Sequence, residues 1–438
     1  MDSKSDYPAS NKQESNQVGI ESEPLELEKQ SECKLQPFEL YHSDEGWRAY
    51  LCLLGSFFAL FSSFGYVNVI GMFNAYLKEH ELASYSQSTI GWITSMESFL
   101  MIFPGIIIGP VYDIIGPRPL LILGTAFLFV GTMTTSVCTT YYQFMLAQGI
   151  CTAIGQALLF SPAVAAVSGW FIKKRAVAIG ITASGSSIGG VVMPVMFRQI
   201  QPRAGFAWAI RSLSFLTAGL ALISCFTVTS RIRRRDKFVI NFHATYITPF
   251  KSVRFDLIIV GIFLVYWGIF IPIGYIPSQA TANGMSISLA FYLVSIQNAA
   301  SIFGRILPGV LADKIGAIVT FSSCVTIAGI LILALWLPAK GNVPIIIFAG
   351  LFGFFSGVAV SLWPAIIVKL SPIKEIGARI GLVSATSSFA VLTSSPIAGA
   401  LISHNGGSYW GTSVFAGISA IAGATIVFMA HFIKEDNQ

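Results

Sequence analysis

From Ala49 onward one pattern recurs in the chain: apolar runs of about 20 residues, each long enough as a helix to cross a hydrocarbon core of roughly 30 Å, separated by short polar interruptions. Twelve such runs fall at 49–71, 88–109, 119–138, 143–168, 177–197, 207–229, 254–277, 287–311, 317–337, 343–367, 378–401 and 411–432. Lipid offers no hydrogen bonds to the backbone, so a spanning segment is a helix or a strand of a closed barrel. These runs are too long and continuous for barrel strands. The predicted fold class is therefore an all-α polytopic membrane protein with twelve transmembrane helices. A charged fraction of 11% against 54% apolar residues leaves too little polar surface for a water-soluble chain of 438 residues.

Charge placement sets the topology. Eleven of the 21 acids precede residue 46, and sixteen of the 27 Lys and Arg fall in one alternating set of loops. These include Arg118, Lys173, Lys174, Arg175, Lys314, Lys369, Lys374, Arg379, Lys434 and the arginine-rich stretch from Arg231. By the positive-inside bias those loops and both termini are cytosolic, and the formal charge of +6 is a loop bias, not a nucleic-acid-binding face. The expected organisation is a disordered cytosolic tail over 1–45, a six-helix bundle over 46–229, a cytosolic central loop over 230–253, a second six-helix bundle over 254–432 and a short tail over 433–438. The N-terminus has no apolar h-region, so the first span directs insertion. A plasma-membrane location is expected, with the vacuolar membrane as the alternative. The six cysteines form no C-x-x-C pair and read as small core residues.

Six plus six segments imply a repeat, and one is present. Gly109-Pro110-Val111-Tyr112-Asp113-Ile114-Ile115-Gly116 follows the second segment, and Gly309-Val310-Leu311-Ala312-Asp313-Lys314-Ile315-Gly316 follows the eighth, 200 residues later. Both read G-x-x-x-D-x-x-G: a glycine turn with an aspartate expected near the start of the next helix, where the dipole favours an anion. In duplicate, at corresponding positions of a twelve-span chain, the motif resembles the major facilitator superfamily, whose fold is two six-helix pseudo-repeats around a site near the midplane. Asp113 is expected to meet Arg118 or the start of helix 11 near Arg379, and Asp113, Arg118, Asp313 and Arg379 are the expected latch of one cytosol-closed state. Trp170-Phe171-Ile172-Lys173-Lys174-Arg175-Ala176, Gly185-Ser186-Ser187-Ile188-Gly189-Gly190 and the Asn298 to Arg305 stretch resemble the monocarboxylate-porter family, particularly fungal members, over about residues 44–432. The resemblance implies alternating-access movement of organic acids or related solutes, sometimes with protons. Animal members carry a lysine in helix 1 and an aspartate before the helix 8 arginine; Asn68 and Ser301 stand there, and only Arg305 is kept.

Two charges remain inside spans. Arg305, about six residues from the expected end of its helix, offers a planar fork suited to a carboxylate; Asn298 and Ser301 share its face. Glu97 is the sole acid well inside a span and is read as a proton carrier, because desolvation favours the protonated form of a carboxyl. Asn68, Tyr266 and Trp363, with Gln148, Gln156, Trp267 and Tyr275, are candidate cavity residues. No catalytic pair, metal-ligand spacing, cofactor motif or P-loop occurs, so no enzyme activity, metal, cofactor or ATP drive is expected. Gly185-x-Ser187-x-Gly189 satisfies a nucleophile-elbow pattern but lies inside an apolar helix with no strand before it. The function expected is a secondary active transporter of an organic anion or related small solute, with no protein partner beyond lipid. Export of a fungal secondary metabolite, uptake of a riboflavin-like vitamin and a transporter-derived nutrient sensor are the alternatives.

Overall fold

The computed structural model describes residues 46–230, 242–372 and 375–433. The expected tail at 1–45, the arginine-rich part of the central loop, Lys374 and the stretch from Lys434 lie outside the described residues. Every regular element among them is helical. Eleven helical stretches are long and apolar enough to cross a membrane. One of these, Arg175–Thr227, has 53 residues, about twice what a single crossing needs. It is two helices: Gly205, at φ 82° and ψ 169°, breaks it, and a side chain at that φ would be strained. Phe206, next to the break, stacks on Tyr76 at 4.5 Å and meets Phe73 and Phe197 edge-on, which seals the corner in apolar packing. With this division the twelve expected crossings are present.

The crossings are numbered in chain order. Helix α1 runs Trp47–Ser62, Phe64–Val67 and Ile70–Glu79, broken at Ser63 and at Asn68-Val69; α2 runs Gln87–Ile102 and Gly105–Ile115. Next come α3 (Pro117–Thr135) and α4, which begins at Tyr141–Phe144, passes through a π-helical stretch at Met145–Thr152 and continues as Ala153–Trp170. Helices α5 and α6 are 175–204 and 206–227. The second series is α7 (Val253–Ala282), α8 (Ile287–Ile315), α9 (Ala317–Leu331 and Ile332–Trp336), α10 (Asn342–Ser361 and Trp363–Lys369), α11 (Ile376–His404) and α12 (Trp410–Met429). Several helices outrun the apolar runs that mark them. Helix α1 continues eight residues past its expected end at 71, and α2 and α8 reach Ile115 and Ile315, because amphipathic ends outside the hydrocarbon layer still pack on neighbours.

Small residues set the helix spacing, as expected where lipid removes a hydrophobic drive between helices and close packing must replace it. A Cβ at Gly304 of α8 would collide with the Phe354 backbone of α10, and one at Gly155 of α4 with the Leu128 backbone of α3. Helices α2 and α11 approach through Gly109 against Gly377 and Gly105 against Gly381; α5 and α8 approach through Gly180 against Arg305 and Gly309 against Ala176. These two pairs are related by the 200-residue repeat.

Gly304→Leu is expected to destabilise the fold by about 1–3 kcal/mol through overpacking, read as a lower Tm in detergent. Gly350→Leu, where an added side chain meets open space, is expected to leave Tm unchanged.

Candidate functional site

The duplicated motif builds two matching contacts. Gly116 and Gly316 make the turns at φ 79° and 105°, but each aspartate ends the preceding helix and does not start the following one. It therefore caps a helix from elsewhere in the chain. Asp113 at the end of α2 accepts from the backbone N–H groups of Gly377 (3.0 Å) and Ala378 (2.9 Å) at the start of α11. Asp313 at the end of α8 accepts from Ala176 (2.9 Å) and Val177 (3.0 Å) at the start of α5. Both carboxylates satisfy orphan donors of a helix N-terminus and sit at its positive dipole end. Glycine at 377 and 109 lets α2 come close enough for Asp113 to reach. Arg379 lies beside this contact and turns elsewhere: it pairs with Glu375 at 3.7 Å, donates to the Leu370 carbonyl and stacks over Phe255. Arg118 is exposed.

Farther in, a cavity of about 80 Å³ opens between α1, α5, α7, α8 and α10, with Asn68, Ser186, Gln297, Asn298, Ser301 and Arg305 as its polar wall and Phe64, Val67, Phe270, Ile273 and Val360 as its apolar one. The break in α1 at Asn68 presents that carboxamide to α8: Asn298 Nδ2 donates to Asn68 Oδ1 at 3.0 Å, while Asn68 Nδ2 donates to the Phe64 carbonyl. Ser301 Oγ is 2.7 Å from Ser187 Oγ of α5. Arg305 is buried and donates through Nη1 to the Ala183 carbonyl and to Ser186 Oγ; its Nε has no partner. Among the described residues no carboxylate pairs with it. A buried guanidinium held by neutral acceptors alone keeps its affinity for an anion.

Arg305 lies ten residues before Ile315, roughly 15 Å along the helix axis, because α8 outruns the expected boundary at 311. Asn68, Asn298, Ser301 and Arg305 share the cavity. Tyr266 and Trp363 are buried and are absent from its lining. Trp267 and Tyr275 spend their polar atoms on Thr393 and Ser395 of α11.

Glu97 occupies a separate place. Fully buried in α2, it accepts from Gln156 Nε2 at 2.8 Å on Oε1 and from Gln148 Nε2 at 3.1 Å on Oε2. Both glutamines belong to α4 and face Glu97, not the cavity. Periodicity does not announce this pairing, since residues eight apart lie about 80° apart around an α-helix, at opposite edges of one stripe. The contact of Asp113 with the start of α11 is as expected, whereas the matching contact of Asp313 with the start of α5 is not anticipated in the sequence.

A family model described as the Major Facilitator Superfamily matches residues 52–343 and 258–438. The chain is 43% identical over 387 residues to an MFS-type transporter 1 of Ophiocordyceps sp. (strain BCC 1869), covering 88% of this chain and 86% of that protein. It is 42% identical over 396 residues to a fujikurins efflux protein of Gibberella fujikuroi, covering 90% and 85%. The crystal structure of the human organic anion transporter MFSD10 (TETRAN) superposes with a TM-score of 0.71 at 12% identity, covering 88% of this chain and 100% of that one; at that identity the likeness is one of fold.

Removing either capping carboxylate costs about 0.5–2 kcal/mol by analogy with helix N-caps. Asp113→Ala and Asp313→Ala are each expected to speed maleimide labelling of a Ser356→Cys reporter in the cavity when the reagent is applied from the side that carries residues 113 and 313.

Proposed function

This chain belongs to the Major Facilitator Superfamily and is a multi-pass membrane transporter, and from that premise we propose that it is a secondary active carrier of organic anions, cycling around the cavity at Arg305. The observation that carries this reading is the buried, carboxylate-free guanidinium on the cavity wall. Arg305 is held by the Ala183 carbonyl and Ser186 Oγ, neutral acceptors that an anionic solute can displace. Asn68, Asn298 and Ser301 supply neutral hydrogen bonds beside it, and Phe64 and Phe270 an apolar wall for the rest of the solute. A volume of about 80 Å³ accommodates a few waters and not a drug-sized solute, so the cargo enters only when the halves part.

Alternating access follows from where the polar contacts lie. The two aspartate caps close one end of the bundle; at the other, Arg198 of α5 donates to Ser288 Oγ of α8 at 2.7 Å and stacks over Tyr292 at 5.2 Å. We read the capped end as cytosolic, in keeping with the basic loops around it, and Asp113 and Asp313 as its latch. Each latch is a pair of hydrogen bonds, strong enough to define a state and weak enough to break in each cycle. Glu97 is the proton carrier in this reading, since it is a neutralisable group inside a span. The finer resemblance to monocarboxylate porters supports the anion, and the plasma membrane is the proposed location.

A second reading concerns direction and cargo: export of a secondary metabolite. It is favoured by the 42% identity to a protein named for fujikurins efflux. Metabolite profiling of culture medium against cell extract, with and without the gene, distinguishes export from uptake.

In proteoliposomes the wild type is expected to move an aromatic carboxylate and not the corresponding amide. Arg305→Gln is expected to lower carboxylate flux at least about tenfold, the equivalent of 1.4 kcal/mol or more, with Arg305→Lys only partly restoring it because the planar fork is lost. Equal fluxes for acid and amide sink the anion reading. Glu97→Gln is expected to retain substrate counterflow while losing accumulation driven by a pH gradient; full accumulation in that variant removes Glu97 from coupling.

A further inference from the structure

The π-helical stretch Met145–Thr152 of α4 has no architectural explanation in the repeat. The equivalent stretch of α10, 200 residues on, is plain α-helix within Asn342–Ser361. Glu97 also has no acidic counterpart: its equivalent is Gln297, and the equivalents of Gln148 and Gln156 are Phe348 and Ser356. Widened helix, carboxyl and both glutamines thus occur together in one half and are all missing from the other.

Helical geometry connects them. Eight α-helical steps of about 100° carry a side chain roughly 80° past two full turns, so in a plain helix Gln148 and Gln156 diverge toward opposite edges of one stripe and do not converge on one carboxyl. A turn widened to i→i+5 hydrogen bonding absorbs one residue. This removes about 100° and leaves the two side chains within roughly 20° of each other. The widening is stabilised from the side: Thr152 Oγ donates at 3.0 Å to the carbonyl of Ala147, five residues back. One glutamine then reaches each oxygen of Glu97.

One acceptor in the pocket has no donor within hydrogen-bonding reach. Gln156 Oε1 is buried without a partner. Of the elements packed on this part of α2, α4 brings the two glutamines and α1 brings Tyr66, whose own hydroxyl is buried and unpartnered. Tyr66 is the one titratable side chain among the described residues that interacts electrostatically with Glu97, and no charged group of α11 reaches it. A proton on Glu97, taken from hydronium with release of water, supplies the missing donor: the acid O–H donates to Gln156 Oε1 while the amide N–H donates back to the other carboxyl oxygen.

We propose that Gln148 and Gln156 are positioning residues for a protonatable Glu97, and that the π-helical turn of α4 exists to bring both onto it. The proposal rests on Glu97 as the coupling carboxyl and is tested separately from that reading.

The experiment uses the full chain in phosphatidylcholine vesicles and follows by infrared difference spectroscopy the protonated-carboxyl band that vanishes in Glu97→Gln. Gln156→Leu and Gln148→Leu are expected to raise the band's frequency and to move its titration midpoint by about one pH unit, a tenfold change in proton affinity. Thr152→Val, which removes the hydroxyl supporting the widened turn and does not bond Glu97, is expected to move the band as Gln148→Leu does. Deleting Cys151 leaves the glutamines seven residues apart, a spacing that plain α-helix serves. The deletion is therefore expected to keep the wild-type band and to be indifferent to Thr152→Val. A band unmoved by the glutamine substitutions or by Thr152→Val overturns the proposal, as does absence of any band lost in Glu97→Gln. If the deletion does not assemble, the three substitutions decide. Normal pH-driven accumulation in Glu97→Gln sinks the coupling role alone, because the band reports the alignment whether or not the proton is transported.

Discussion

Close approach between helix backbones is the constraint on which the rest of this structure depends. Lipid rewards no burial between helices, so two halves of a membrane protein hold together through packing distance and a few polar contacts. Here the distance is set where α2 meets α11 and α5 meets α8, at glycines such as Gly109, Gly381 and Gly180 that leave no room for a Cβ. The aspartate caps depend on it, since a short carboxylate reaches a neighbouring helix's amides only when the backbones are nearly in contact. The cavity depends on it too. Gly180 lets α5 lie directly against the Arg305 backbone, and the same proximity delivers the Ala183 carbonyl and Ser186 hydroxyl to the guanidinium.

Much of the fold was legible in the chain because its determinants are local. Twenty-residue apolar runs follow from the thickness of a bilayer, and the twice-occurring G-x-x-x-D-x-x-G marks the repeat without reference to any contact. The corner between α5 and α6 needs only one residue at positive φ, Gly205, with Phe206 to seal it. What lay beyond the sequence was which surfaces face each other. The repeat and the topology brought Asp113 to the start of α11, but Asp313 carried no sign that its partners are the Ala176 and Val177 amides of α5. Gln148 and Gln156 looked like cavity residues because their alignment on Glu97 requires a departure from the helical period by which faces are read. Tyr266 and Trp363 looked like cavity residues for a related reason: an aromatic with a polar handle reads the same whether it lines a void or packs behind its wall.

The two buried charges are divided between the halves in a way the repeat makes sharp. Arg305 stands where the first half has Gly105, which is packed against Gly381; Glu97 stands where the second half has Gln297, which lines the cavity. Each half has therefore given up the other's charge, one for packing and one for a neutral hydrogen-bonding group. Glu97 does not share the cavity wall with Arg305, and its carboxyl is closed in by α4. Direct competition between proton and solute for one set of atoms does not fit this arrangement. If both species act in one cycle, what links them is the disposition of helices. Helix α1 touches both places: Tyr66 interacts with Glu97, and Asn68, two residues later, bonds Asn298 in the cavity wall. Because Tyr66 and Asn68 lie two residues apart on one helix, any displacement of α1 moves both, and linkage of the inner pocket to the cavity needs no group to cross between them.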